Sequence, residues 1–140
     1  MELLLVNLEL LGVTNADLSI LPEYCRLAAN MCHVPLIHSS PVVGRDAFRT
    51  GTGVHAAAIM KAEAKGDAWL ADRIYSSVPA SLVGREQVIE IGPMSGQSNV
   101  RHWLQKHGYD DDESLVERIF DASKKTDHTL TEEELEDLCR

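Results

Sequence analysis

The sequence predicts a mainly α fold, built of helical subdomains with one short strand. Apolar residues recur mostly at helical spacing, and glycines or capping residues separate the apolar segments. Only residues 88–91, Val-Ile-Glu-Ile, alternate convincingly like a strand, between Gly84 and the Gly92-Pro93 pair. A length of 140 residues with 44% hydrophobic residues is typical of one folded domain with a modest core.

The first half of the chain is predicted to hold helices on either side of an irregular connector. Residues 2–11 are nearly all apolar and stop at Gly12, which favours a buried helix, with a strand as the alternative. The next helix is amphipathic, is capped by Asp17 or Ser19, and ends near His33. Prolines and glycines then predict an ordered connector without regular structure, followed by a broken helix or helix pair; the three segments are residues 34–53, 54–64 and 67–75.

The end of the chain is predicted to be a three-helix unit. Its helices follow residues that can cap a helix N-terminus: Ser98, Asn99, Ser114 and Thr131. Glu134 completes a capping box with Thr131, and Leu130 with Leu135 form a hydrophobic staple around it.

Composition excludes several classes of function. The net charge is -9, and residues 109–140 carry 12 acidic against 4 basic residues, so we expect no nucleic-acid partner. No apolar run approaches the roughly 18 residues that a membrane span needs, and no basic leader precedes the first apolar run, so neither membrane insertion nor secretion is expected. Three cysteines without CxxC spacing argue against disulfides and a zinc ribbon, which favours a cytoplasmic protein.

Two segments imitate binding motifs. Residues 51–56 match G-x-G-x-x-A, but no strand is expected before them, so a plain glycine turn into a helix is favoured over dinucleotide binding. Residues 121–132 fit the length of an EF-hand loop, but Lys125 and Thr126 occupy positions that need an oxygen ligand and a glycine. A helix, a loop and a capped helix are favoured there.

No metal site is predicted from the cysteines and histidines. Cys25 and Cys32 share a helix face without a third ligand, which favours packing in the core. His102 and His107 are five residues apart, so they do not form the i, i+4 pair of a zinc helix.

His55 is a candidate for acid–base chemistry. It lies in the first turn of a predicted helix, directly after a glycine-rich loop and before three alanines. A histidine there can take up or release a proton near neutral pH. The alternative is an ordinary exposed or hydrogen-bonded histidine.

Two stretches of the chain resemble the 2-isopropylmalate synthase family and its homocitrate and citramalate synthase relatives. They are residues 41–55, PVVGRDAFRTGTGVH, and residues 83–96, VGREQVIEIGPMSG. The first is similar to the family pattern P-[IV]-V-G-x-N-A-F-x-H-x-[ST]-G-[IV]-H-x-D-G and the second to V-G-R…G…S-G. Asp46, Thr50 and the Ala57-Ala58 pair depart from the family's asparagine, histidine and Asp-Gly.

The resemblance implies a particular organisation. Family enzymes are TIM barrels followed by a connector and helical subdomains that cover the partner's active site. This chain resembles the last barrel helices plus those subdomains, and the catalytic (β/α)8 barrel itself is absent. We therefore expect residues 1–38 to be barrel-end helices, residues 39–80 to be the connector and lid subdomain, and residues 81–140 to be a short strand plus a three-helix subdomain. Without a following regulatory region, feedback by leucine is not expected.

The resemblance also implies a function. Family members condense acetyl-CoA with a 2-oxo acid in a Claisen-type acyl transfer used in leucine and related amino-acid biosynthesis. His55 corresponds to the lid histidine that works in proton transfer, and Tyr75, twenty residues later, is the tyrosine nearest to the lid tyrosine. A divalent metal is expected only in the missing barrel, and no cofactor in this chain.

These expectations define one leading hypothesis and two alternatives. The leading hypothesis is the C-terminal lid portion of such an acyltransferase, inert alone, whose partner is a barrel chain or further copies in a homo-oligomer. The alternatives are a non-catalytic helical assembly module and an adventitious binder of a metal or nucleotide.

Overall fold

A computed structural model describes all 140 residues and confirms the mainly α fold. Seven α-helices have the bounds α1 Glu2–Leu10, α2 Leu21–Met31, α3 Gly53–Ala64, α4 Ala68–Ala71, α5 Gln97–Lys106, α6 Glu113–Ser123 and α7 Glu132–Cys139. A 3₁₀ helix covers Ala80–Val83, and two short strands are β1 Arg49–Thr50 and β2 Val88–Ile89. None of the helices combines the length and the apolar character that crossing a bilayer requires.

The sheet differs from the expectation by one strand. β2 lies within the predicted strand, but it pairs in parallel with β1, which falls in the segment expected to lack regular structure. The register joins Arg49 to Val88 and Thr50 to Ile89. A strand of two residues is too short to show a period of two, so its sequence carries no signal.

The chain forms two compact units, and each is discontinuous in sequence. Unit 1 combines Met1–Phe48 with Tyr75–Gln87, and unit 2 combines Arg49–Ile74 with Val88–Arg140. Unit 1 has one core, in which α1 and α2 contribute to a cluster of buried aliphatic side chains: Val6, Leu18, Leu21, Val42, Val43 and Val83.

Unit 2 has two clusters. In the larger cluster, Ile91, two residues after β2, packs against α5, α6 and α7. Its members are Ile91, Val100, Trp103, Leu104, Val116, Ile119 and Leu135. The smaller packs α3 and α4 against β2 through Ala56, Ile59, Ala62, Ala71 and Ile89. Each fully buried aliphatic side chain stabilises the folded state by about 1.5–3 kcal/mol, so these clusters hold the helices that surround the glycine-rich loop.

The helix starts are partly as predicted. Thr131 and Glu134 form the capping box of α7, and Leu130 and Leu135 both pack in the larger cluster, which confirms that prediction. The predicted caps of α2 are wrong: Ile20 occupies the N-cap, while the Asp17 carboxylate accepts a hydrogen bond from the Ser19 backbone N–H. An Asx turn competes there with capping because it uses the same side-chain oxygen.

Other starts and ends also differ from the expectation. α6 is capped by Asp112, whose carboxylate accepts from the Leu115 backbone N–H, rather than by Ser114. α4 is a single short turn that ends at Ala71, so the helix predicted over residues 67–75 is shorter than expected.

Helix α1 is not a buried helix within this chain. Val6 is its one buried residue, while Leu4 and Leu11 are 58% and 76% exposed. An all-round apolar sequence predicts burial without specifying what covers it. In this chain α1 packs along one side only.

Candidate functional site at the start of helix α3

His55 is the third residue of α3 and its side chain is exposed. Thr52, with an extended backbone, precedes the helix as N-cap without a side-chain capping bond. The Ala56 side chain that follows His55 is fully buried and belongs to the smaller cluster of unit 2. Packing of the next residue therefore fixes the helix turn that presents the imidazole to solvent.

The glycine-rich loop before His55 is held against the segment that follows β2. The Glu90 backbone N–H donates to the Thr50 carbonyl at 2.9 Å, and the Gly53 N–H donates to the Met94 carbonyl at 3.0 Å. A Cβ on Gly53 would lie 2.7 Å from the backbone nitrogen of Gly96. Only glycine allows this close approach of two backbones, so Gly53 is needed for the packing of the loop on Gly96.

Two buried polar side chains fix the far side of this junction. The Ser95 hydroxyl donates to the Gly51 carbonyl at 2.7 Å and accepts from the Gly92 N–H at 2.9 Å. The Asn99 amide, fully buried, donates to the Glu90 carbonyl at 2.9 Å and accepts from the Gly96 N–H at 3.2 Å. Every buried polar atom of these side chains has a partner, which makes the junction rigid.

Lys124, the C-cap residue of α6, also binds this junction. The Lys124 ammonium donates to the Pro93 carbonyl at 2.8 Å and to the Ser95 carbonyl, and it lies 4.5 Å from the centre of the Phe120 ring. Within the sheet, the Arg49 guanidinium donates to the Glu90 carboxylate at 2.8 Å. His55 therefore lies at the start of a helix whose preceding loop is held by many hydrogen bonds.

In unit 1, the first residues of the two sequence motifs, 41–55 and 83–96, contact each other. The Arg85 guanidinium donates to the Gly44 carbonyl at 2.6 Å and to the Val42 carbonyl at 3.2 Å, and it lies 5.2 Å from the Phe48 ring centre. Residues 42–48 of the first motif are therefore bound to residue 85 of the second. Motif residues that are distant in sequence meet in both units.

The structure does not bring the two predicted catalytic residues into one unit. His55 belongs to unit 2 and Tyr75 to unit 1, where its side chain is 47% exposed. Their catalytic roles stay predictions.

The cysteines, histidines and acidic residues form no metal site. No group of three or more histidine, cysteine or acidic side chains is placed to hold a metal ion.

The prediction that Cys25 and Cys32 both pack in the core is half wrong. Cys25 contacts the unit 1 cluster, but Cys32 follows the last helical residue and is exposed. Burial raises the pKa of the Cys25 thiol, which disfavours the reactive thiolate.

The two histidines of α5 and its C-cap differ in their burial and in their contacts. His102 is half-buried, and burial lowers its pKa while the charge of Glu63 partly opposes that effect. The His107 ring stacks on Trp103 with ring centres 4.1 Å apart. Both histidines line one small cavity of about 140 Å³ together with Lys106 and Glu132, and no group of metal ligands forms there.

Asn99 is the residue whose importance the sequence understated. The sequence predicts Asn99 only as a capping residue, and its amide oxygen does accept a hydrogen bond from the Gly96 N–H. Its amide nitrogen also donates to the carbonyl of Glu90, the residue after β2. The one available signal was its position three residues after a glycine inside the second motif, the spacing of an N-cap and its N3 residue.

Comparisons with known proteins agree with the class of protein that the motifs indicated. A homocitrate synthase from Pyrococcus horikoshii is 31% identical over 102 residues, which are 73% of this chain and 26% of that protein. An (R)-citramalate synthase from Aquifex aeolicus is 28% identical over 122 residues, or 83% of this chain and 21% of the relative. A 2-isopropylmalate synthase from Acetivibrio thermocellus is 30% identical over 113 residues, or 80% and 20%.

The chain is therefore homologous to the family of 2-isopropylmalate, homocitrate and citramalate synthases, and the resemblance is confirmed. It spans 20–26% of the length of these three relatives. No family model matches the chain.

Proposed function

We propose that this chain is the lid portion of a 2-isopropylmalate-synthase-like acyltransferase and that His55 serves the active site of a barrel. The observation that carries the proposal is an exposed imidazole at the start of α3, directly after a loop that residues of both family motifs hold in place. Homology to three acyl-condensing synthases supports the reaction class, a Claisen-type condensation of acetyl-CoA with a 2-oxo acid.

His55 would move a proton and the barrel would supply the rest. An imidazole can accept or donate a proton near neutral pH, and the packed first turn of α3 holds it at a constant position relative to its own unit. The residues of this chain do not fit the divalent metal expected to polarise the 2-oxo acid, since none of its acidic, histidine and cysteine side chains cluster as ligands. The chain alone would be inert.

A non-catalytic assembly module is the second candidate. Its support is the apolar surface of α1 and α2, where Leu4, Leu11, Tyr24 and Leu27 are all more than half exposed. Such a surface is typical of a protein interface. This candidate shares the assembly behaviour of the first but assigns no chemistry to His55.

A reconstitution experiment tests the proposal. The chain is mixed with a separately expressed barrel from one of the homologous synthases, and CoA release from acetyl-CoA is measured with a set of 2-oxo acids. We expect activity above that of the barrel alone, and we expect His55→Ala to lower it by about 10²–10⁴-fold, the usual contribution of a positioned acid–base group. Tyr75→Phe tests the second predicted residue in the same assay.

The matched control is His33→Asn. His33 is exposed and has a φ of 55°, a left-handed conformation that asparagine tolerates. This variant should keep full activity. Failure of the chain to raise the barrel's activity contradicts the proposal, while stable assembly with equal activity for His55→Ala and the native chain favours the assembly module.

A further inference from the structure

Unit 1 contains a cavity of about 540 Å³ whose charged lining is entirely basic. Arg26 from α2 and Arg45 from the connector face it together with Arg85 and His38, and no carboxylate lines it. The other lining residues are apolar side chains and one glycine: Pro22, Leu36, Val43 and Gly44. The volume is within the range of small-molecule sites, about 300–1,000 Å³.

Three guanidinium groups around one cavity are unexpected in this chain. The protein carries 22 acidic residues against 13 basic ones, so an acidic neighbour would be the ordinary companion of any arginine. Arg45 has one, its sequence neighbour Asp46 at 3.1 Å. The exposed Arg26 guanidinium makes no hydrogen bond or ion pair, so its positive charge is available to an anion bound in the cavity.

Arg85 gives the cavity a fixed wall. Its guanidinium donates to the carbonyls of Val42 and Gly44, and more weakly to that of Arg45 at 3.4 Å. Stacking over Phe48 further restricts it. A pre-oriented cation loses little conformational entropy when a ligand binds, so it favours binding more than a mobile side chain does.

We propose that this cavity binds a small molecule that carries a phosphate group. A phosphate presents several oxygens and up to two charges on one centre, and planar guanidinium groups bind such oxygens in pairs. The apolar lining from Pro22, Leu36 and Val43 suits an organic portion of the ligand. A single carboxylate group offers only two oxygens and one negative charge. Three arginines have more hydrogen-bond donors and more positive charge than one such group can use. The inference does not depend on the proposed function.

Calorimetric titration of the whole chain tests the proposal, with pyrophosphate as the probe and inorganic phosphate and succinate as comparison arms. We expect saturable one-to-one binding of pyrophosphate that weakens as salt is raised, because partly exposed charges are screened. Inorganic phosphate should bind more weakly at the same site and succinate more weakly still. Succinate binding as tight as pyrophosphate overturns the assignment to phosphate, and no saturable binding at low salt overturns the site itself.

Variants locate the site. Arg26→Gln and Arg45→Gln each remove one charge from an exposed side chain, and each should weaken pyrophosphate binding about tenfold, as expected for loss of a charge-assisted hydrogen bond. Arg118→Gln is the matched control, since Arg118 is an exposed helical arginine of unit 2. It should leave the affinity unchanged. Equal weakening by all three variants would show that only the net charge matters and would overturn the proposed site.

Discussion

Replacing Gly53 by alanine should destabilise unit 2 by about 1–2 kcal/mol. The added Cβ would lie 2.7 Å from the Gly96 nitrogen and 3.1 Å from the Gly96 Cα, both backbone atoms. Comfortable carbon contacts begin near 3.5 Å, so the two backbones must separate by about 0.5–0.8 Å. Such overpacking costs about 1–3 kcal/mol, and the reduced freedom of the unfolded chain offsets about 0.4–1 kcal/mol of it.

The assay is urea unfolding followed by far-ultraviolet circular dichroism and by tryptophan fluorescence, since Trp103 is buried in the larger cluster of unit 2. Gly51→Ala is the matched control: its Cβ would meet only the Thr129 methyl at 3.8 Å, an ordinary contact. This control should be neutral or stabilised by up to about 1 kcal/mol. Equal unfolding midpoints for the two variants would refute the argument that Gly53 is needed for the close approach of the two backbones.

Three further predictions concern other parts of the chain. Asn99→Ala should lower the free energy of unfolding by about 2–3 kcal/mol, measured by the same urea titration, because it leaves buried backbone groups without partners. Hydrogen bonds that the protonated His128 ring donates to the Asp127 carboxylate, and then to the Glu134 carboxylate, raise the pKa of His128, so its NMR titration midpoint should exceed 6.5 and should fall in Glu134→Gln. The support that this pairing gives to the start of α7 is present below the ordinary pKa and is lost as the pH rises through the raised value. The exposed leucines of α1 predict self-association that light scattering detects, and Leu4→Gln with Leu11→Gln should reduce it; a constant monomeric mass at high concentration would contradict this.

The sequence predicted those elements whose signals are local. α7 could be placed from four residues, since a capping box and a hydrophobic staple involve only neighbours in the chain. The end of α1 before Gly12 and the existence of α3 followed in the same way from breakers and alanine content. β1 could not be placed, because a two-residue strand exists only through its pairing with β2, 39 residues away.

The candidate site was predictable as a set of residues and not as an arrangement. The motifs named His55, Arg85 and Ser95, but the packing of Gly53 on Gly96 depends on a contact between backbones that no side chain marks. The proposed anion cavity could not be predicted either, because its three arginines are spread over 60 residues of the sequence and form no local pattern. The division into residues 1–38, 39–80 and 81–140 and the roles of His55 and Tyr75 stay predictions.

The interleaving of the two units has a consequence for how the protein is made on the ribosome. All of unit 1 lies within residues 1–87, so its core can close before residues 88–140 are synthesised. The segment Arg49–Ile74 emerges in the middle of that process, yet the strand and the helices against which it packs come only after residue 87. During this interval α3 has α4 as a neighbour but lacks β2 and α5, so part of its apolar face stays uncovered, and a nascent-chain chaperone would be expected to protect this segment.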